Sequence, residues 1–358
     1  HLQCILDWGG RSNLPRESIG ALVLLRGLDR PDAQSAMDWL YDKGPDTLRV
    51  FTTNDFFPDG TPPESTGNYN SIHTNGLFTL EYHLQKLRGQ HPDAYPESGY
   101  PSLVNDPRAP RIVRQPHEIT MIGKSWFQFG DGAAPGSGTH GKGAGPLETD
   151  CIYVYKSADT LDWAGKFTGD PVVREIHSAV QTGRHRAIGS TVHDGVGIAI
   201  LRTPGAPERA AAGIVYGDTP GHRHRDLLDV QLYAFGRPFL TDLGYPQSWT
   251  SRPIWEGHWA THNTVWGSLP GLADPGVAGR GKLLRTLFTD GLQVLDIEAD
   301  RWAWDDAHKR WYKPGVTFRR LILGNNAADG GENLLHRWVL LGILVAHLTD
   351  PSLIPRKP

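Results

Sequence analysis

The sequence predicts a multidomain α+β protein: a helical first half, whose successive hairpins suit an (α/α) toroid, followed by an antiparallel β-sandwich. Three observations predict it. Apolar residues recur at helical spacing through the first half. Beyond Arg186 that pattern gives way to short apolar runs separated by turn residues. The chain is 358 residues long, with 39% hydrophobic and 21% charged residues, which is room for two or three domains with real cores. The domains are placed at residues 1–185 and 186–358.

The helical elements come first. Glu17 to Arg26 carries apolar residues at helical spacing. Asp32 to Tyr41 follows Pro31, a favoured residue at a helix start, and sets Ala33, Ala36, Met37 and Leu40 on one stripe. Leu77, Leu80, Leu84 and Leu87 repeat the pattern. Between these helices, Thr52 to Asn75 reads as one long polar connection, a length uncommon unless the loop is functional or disordered. Residues 130–147 are rich in glycine and lack the Gly-Lys-Ser/Thr ending of a phosphate loop, so they read as a mobile surface loop or lid. Ser157 to Trp163 and Pro171 to Thr182 read as short helices. The strand-like runs are Val196 to Arg202, Asp229 to Phe235, Pro238 to Thr241, Thr264 to Trp266, Leu283 to Phe288 and Leu292 to Glu298. Leu334 to Leu348, dense in leucine, can also form strands but is less regular.

Composition removes several function classes. A net charge of −3 leaves no broad basic field, so no nucleic-acid partner is expected. A polyanionic ligand would need a local cluster of Arg, Lys and His. The most apolar run, Trp338 to Ala346, is too short to span a bilayer, so no membrane partner is expected either. Cys4 and Cys151 are too few for a disulfide framework. Sixteen histidines favour proton-transfer or metal chemistry, and 12 tryptophans suit stacking on sugar faces. Nothing in the sequence sets an oligomeric state.

Three segments carry candidate chemistry. His222 and His224 lie two apart, so on a strand they share a face. Asp242 and His262 follow in later segments that also read as strands or strand ends. His224, Asp242 and His262 make a plausible zinc set with an open position. The alternative is three satisfied polar residues at strand ends. His222, beside them, could shuttle a proton or hold a carboxylate, or could be a solvent-facing histidine in a basic turn. The Thr52–Asn75 connection holds Glu64, Asn68, Tyr69 and His73, residue types suited to substrate binding and acid–base work on a loop. Tyr69 could equally anchor that loop, and Asn13 could be a helix cap.

The Asp59-Gly60…Glu64-Ser65…Tyr69 loop, His222-x-His224-x-Asp226, Thr241-Asp242-Leu243-Gly244-Tyr245 and His262-Asn263-Thr264-Val265 together resemble the heparinase II/III-like polysaccharide lyases. The resemblance runs from about residue 10 to 300. It implies an (α/α) toroid, here incomplete and represented by its C-terminal part, joined to β-sandwich domains, with action at the cleft between them. It implies catalytic roles for Tyr69, His222 and Asn13, the last neutralising a uronate carboxylate. It also implies that His224, Asp242 and His262 hold a site-organising Zn2+. Many family members have His after the Asn, where this chain has Leu14.

The reaction that follows is β-elimination on an anionic uronic-acid polysaccharide, with heparin or heparan sulfate favoured and alginate or oligoalginate the nearest rival. The chemistry removes the C5 proton of a uronic acid, so the carboxylate must be neutralised to stabilise the enolate-like intermediate. Asn13 and His222 suit that task, and Tyr69 suits proton return to the leaving oxygen. No nucleotide or redox cofactor is needed. A polymer substrate of this kind places the protein in the periplasm or outside the cell. A non-catalytic carbohydrate-binding protein on the same scaffold is the reading from another class. A zinc hydrolase is weaker, because no His-Glu-x-x-His helix occurs.

Overall fold

The computed structural model describes residues 16–27, 32–44, 47–64, 67–119, 121, 127, 129–132, 165–166, 168–182, 188–202, 210–217, 222–234, 237–244, 246, 248–264, 280–300, 303–305, 307–312, 316–325 and 337–346. They fall into two compact units. One comprises residues 1–63, 68–117 and 151–186; the other comprises 64–67, 118–150 and 187–358.

The first unit is helical. Its described helices are α1 (Arg16–Gly27), α2 (Ala33–Asp38), α3 (Leu48–Asn54), α4 (Gly67–Gln90), α5 (Ala109–Glu118) and α6 (Pro171–Thr182). The stripes read from sequence form its core. Leu22 and Leu25 of α1 and Met37 of α2 pack in one buried cluster with Leu80, Leu84 and Leu87 of α4. After α2 the chain widens into a π turn, Trp39–Lys43, and stops at Gly44. Thr47 then caps α3 by accepting a hydrogen bond from the Val50 N–H.

Helix α4 corrects one expectation. The polar connection ends at Gly67, and Asn68, Tyr69 and His73 lie in the first two turns of a 24-residue helix. Asn-Tyr-Asn-Ser has poor helix propensity, so composition alone reads it as loop. Tertiary packing overrides this. Thr74, Leu77, Leu80 and Leu84 are buried, and they carry the helix back to Gly67.

The second unit is a β-sandwich. An antiparallel meander orders β1 (Thr191–His193), β2 (Ile198–Arg202), β3 (Ala211–Val215), β4 (Val230–Ala234) and β5 (Arg237–Leu240) side by side. A second antiparallel sheet has the order β11-β10-β7-β6, from β6 (Gly281–Phe288), β7 (Leu292–Asp300), β10 (Val316–Asn325) and β11 (Arg337–Ala346). The strands β8 (Ala303–Asp305) and β9 (Arg310–Tyr312) pair separately. Between the two larger sheets lies one core: Ala199, Leu201, Ala212, Ile214 and Val230 from the first, Leu295, Ile297, Phe318 and Ile322 from the second. The leucine-dense C-terminal run is an ordered strand, with β11 registered against β10 from Arg337 to Ala346. Ser157–Trp163 and Val265–Trp266 lie outside the described residues.

The segment from residue 118 to 132 belongs to the β unit and is fastened to it at successive points. Arg202, buried on β2, donates to the backbone carbonyls of Glu118 and Met121. The Phe127 ring then packs against β3 at Gly213, where a Cβ would come within 2.4 Å of the ring. The sheet leaves room for that ring only because Gly213 has no side chain. At the other end of β3, Gly217 approaches so closely that a Cβ there would sit 1.8 Å from the Val196 carbonyl oxygen.

Gly213→Ala should therefore push Phe127 off the sheet and cost about 1–3 kcal/mol, the usual range for overpacking a filled core. Urea denaturation checks it; an unchanged midpoint would contradict the packing described.

Candidate metal centre

Residues 222–229 form the connection between β3 and β4. The His222-x-His224 segment is thus not a strand, contrary to its alternating look. Its backbone groups bond to other loops instead of to a ladder: the Asp131 N–H donates to the His222 carbonyl at 2.7 Å, and the Arg225 N–H donates to the Gly257 carbonyl at 3.1 Å. Two neighbouring loops hold the segment extended, so both side chains still reach the same carboxylate. His262 likewise sits just past a short 3₁₀ turn, Trp259–Thr261, rather than on a strand. Asp242 lies two residues past the end of β5.

These residues converge. His224 Nδ1 lies 3.0 Å from Asp242 Oδ1, and His262 Nε2 lies 3.0 Å from Asp242 Oδ2. The two facing nitrogens are 3.3 Å apart. All three side chains are buried, and their candidate ligand atoms lie within 4.8 Å of one another. Each outer atom is already committed. His224 Nε2 faces Asp131 Oδ1 at 3.0 Å, and His262 Nδ1 faces the His258 carbonyl at 2.8 Å. Asp242 Oδ1 accepts the Gly244 N–H at 2.6 Å.

This is the arrangement expected of a metal site. An acceptor on the far nitrogen fixes each imidazole so that its near nitrogen presents a lone pair inward. Two imidazoles and one carboxylate suit a divalent transition metal and leave coordination positions open. Asp229 supports the same wall, accepting the Asn263 N–H at 2.6 Å and so fixing the residue after His262.

Without a cation the cluster holds protons. Burial acts to lower the His224 pKa, but the Asp242 carboxylate and hydrogen bonds to Asp131 and Asp242 outweigh it, raising it to about 9. Burial also opposes charge on His262, yet Asp242 carries it up to about 10. The converse holds for Asp242: burial favours its neutral form, and the two histidines overcome this and hold it well below the usual carboxylate range. Burial, aided by the nearby Asp242 and Asp226 carboxylates and opposed by His262, pushes Asp229 up to about 6.

His222 lies at the edge of this cluster. Its Nδ1 is 2.9 Å from Asp131 Oδ2, and its backbone N–H donates to Glu64 Oε1 at 3.3 Å. The exposed Trp249 ring lies beside it, centroid to centroid 6.3 Å, and the Arg252 guanidinium lies 5.9 Å over that same indole. Arg252 Nε also donates to Asp131 at 2.7 Å.

Of the other expected site residues, Glu64 meets the backbone of His222. Glu64 belongs to the β unit, whereas Asn68, Tyr69 and His73 lie on α4 of the helical unit. His73 Nδ1 faces Asp55 Oδ2 at 3.0 Å. Asn13 lies outside the described residues. Two residues escaped sequence reasoning, Asp131 and Arg252. Asp131 opens the glycine-rich stretch read as a mobile surface loop, but its side chain is fully buried; residues 133–147 of that stretch lie outside the described residues. The available signal was a lone aspartate among glycines directly after Phe127 and Phe129.

Comparison with known proteins agrees with this geometry. Residues 210–335 match the family model "Heparinase II/III-like, C-terminal". That span holds His222, His224, Asp242 and His262, so the resemblance read from the sequence is borne out there. No curated protein matches the chain significantly. Among solved structures, a heparinase III gene product is similar with a TM-score of 0.58 at 15% identity, covering 90% of this chain and 45% of its own. A mutant of the heparan sulfate lyase HepC from Pedobacter heparinus gives a TM-score of 0.54 at 16% identity, covering 85% of this chain and 42% of its own. At such identity the likeness establishes the fold, and the chain spans less than half the length of these structures.

After stripping with a chelator, the protein should take up one divalent metal per chain, and Asp242→Ala or His262→Ala should abolish uptake. Below about pH 9 the metal must displace protons held by His224 and His262, so affinity should rise with pH through the neutral range. Competition titrations at several pH values check the sign; pH-independent affinity would contradict it.

Proposed function

We propose that the chain belongs to a polysaccharide lyase that cleaves a uronic-acid polymer by β-elimination, with heparan sulfate or heparin the favoured substrate. The observation that carries this reading is His222: a partly exposed imidazole held at the rim of a buried His/Asp centre, beside an exposed indole. The match of the surrounding span to heparinase II/III-like proteins supports it. In this proposal the helical unit is the later part of an (α/α) toroid, and the protein acts outside the cytoplasm, where such polymers occur.

His224, Asp242 and His262 would hold Zn2+. Bound there, the ion would fix the wall that carries His222 and add positive charge beside an anionic substrate. With Nδ1 directed at Asp131, His222 presents Nε2 to the substrate. There the neutral ring can take the C5 proton, and the imidazolium so formed can donate to the uronate carboxylate and stabilise the enolate-like intermediate. Asn13 is the proposed second hydrogen-bonding group on the carboxylate. Tyr69 is the proposed proton donor to the leaving 4-O oxygen, with Glu64, Asn68 and His73 in substrate binding. These roles rest on the resemblance of their motifs. Trp249 is placed to stack on a pyranose ring next to His222.

Heparan sulfate, chondroitin sulfate, hyaluronan and alginate should be offered separately, following the ultraviolet absorbance of the new C4–C5 double bond. A rise with heparan sulfate is expected, and a rise only with alginate would move the substrate. No rise with any of them, together with measurable binding, would leave a carbohydrate-binding protein. Tyr69→Phe and His222→Ala should each lower kcat roughly 10²–10⁴-fold, the range for losing one proton-transfer group. Full activity in either would remove that residue from the mechanism. Trp249→Ala should act differently, raising KM with little change in kcat; an unchanged KM would remove the stacking role.

A further inference from the structure

Asp131 joins the two histidines of the 222–224 segment to Arg252. Its side chain is fully buried, and it accepts from three other side chains. His222 Nδ1 is at 2.9 Å, His224 Nε2 at 3.0 Å and Arg252 Nε at 2.7 Å. Its own backbone N–H donates to the His222 carbonyl, so main chain and side chain clamp the same residue. The two histidines meet it through opposite ring nitrogens, and this decides where their protons sit. An ionised carboxylate only accepts, and a neutral imidazole carries one N–H and one lone pair. His222 facing Asp131 through Nδ1 must therefore carry its proton there, leaving Nε2 as the lone pair. His224 faces it through Nε2, so once a metal ion displaces the proton that Nδ1 shares with Asp242, the remaining proton stays on Nε2 and Nδ1 carries the lone pair.

We propose that Asp131 is a positioning residue that sets both tautomers at once, directing the lone pair of His222 to Nε2 and that of metal-bound His224 to Nδ1. One buried carboxylate thus supports the metal wall and the substrate-facing imidazole together. Arg252 holds the carboxylate by its Nε, and a second guanidinium nitrogen donates to the Arg223 carbonyl at 2.8 Å, tying the loop between the two histidines to the same anchor.

The test uses the full chain in two ways. In the unaltered protein, long-range proton–nitrogen NMR of the histidine rings reports tautomers directly, with the His222 signal identified by its loss in His222→Gln. Neutral His222 should show N–H at Nδ1, and finding the proton on Nε2 would overturn the proposal. Asp131→Asn keeps the size but introduces a donor that can face only an unprotonated ring nitrogen, so one ring must change tautomer. Zinc(II) affinity, read by competition with a chromophoric chelator, should fall about 10–100-fold, the usual consequence of losing an outer-shell partner. Unchanged zinc affinity in a folded Asp131→Asn protein would also overturn it. If that variant does not fold, the NMR measurement on the unaltered protein still decides. A third readout rests on the lyase reading: kcat should fall with KM little changed. The tautomer and zinc readouts need no turnover, so a failure of the lyase reading and a failure of this role are separable.

Discussion

The structure around the candidate site depends on His224 being held between two fully buried carboxylates, Asp131 on one ring nitrogen and Asp242 on the other. Burying one carboxylate costs several kcal/mol unless charge and hydrogen bonds compensate it. Two in contact with one imidazole are tolerable only because three cationic groups surround them. His224 lies between the pair, His262 serves Asp242 and Arg252 serves Asp131. Removing one member would strand a buried charge, so the cluster is kept or lost as a unit. A cation at its centre meets the same demand, and two histidines with anchored outer nitrogens are already arranged to receive it.

The β-sandwich is what makes this geometry affordable. The apolar core between its sheets holds β3 and β4 in place, and the loop carrying His222 and His224 joins those strands. The remaining partners arrive from far along the chain. Asp131 is delivered by a segment fastened through Arg202 and through Phe127 on Gly213, and Asp242 by the end of β5. His262 is fixed through Asn263 to Asp229, next to the first residue of β4. The chemistry sits on loops, but Asp242 lies two residues past β5 and Asp229, which holds the residue after His262, lies one before β4.

How much of this was legible in the sequence follows from the range of the forces involved. Leu77, Leu80, Leu84 and Leu87 announce their helix because burial on one face is a local, periodic demand. His224, Asp242 and His262 were legible as residue types suited to a metal, and the structure gathers all three. The start of α4 was not legible, because Asn68 to Asn70 are helical only through packing further along the same helix. β3 was missed because Ala211-Ala-Gly-Ile-Val lacks alternation: it is buried on both faces, and Gly213 makes room for Phe127. Asp131 was missed for a sharper reason. Its partners lie 91, 93 and 121 residues away, and no local pattern encodes a charge balance made at that distance.

Anomalous diffraction from crystals of the metal-loaded chain tests the whole account most directly. One metal ion is expected, bonded to His224 Nδ1, His262 Nε2 and the Asp242 carboxylate. Asp131 should remain on His224 Nε2 and on His222 Nδ1. A metal bound elsewhere, or a loaded protein in which His224 coordinates through Nε2 and has left Asp131, would contradict it.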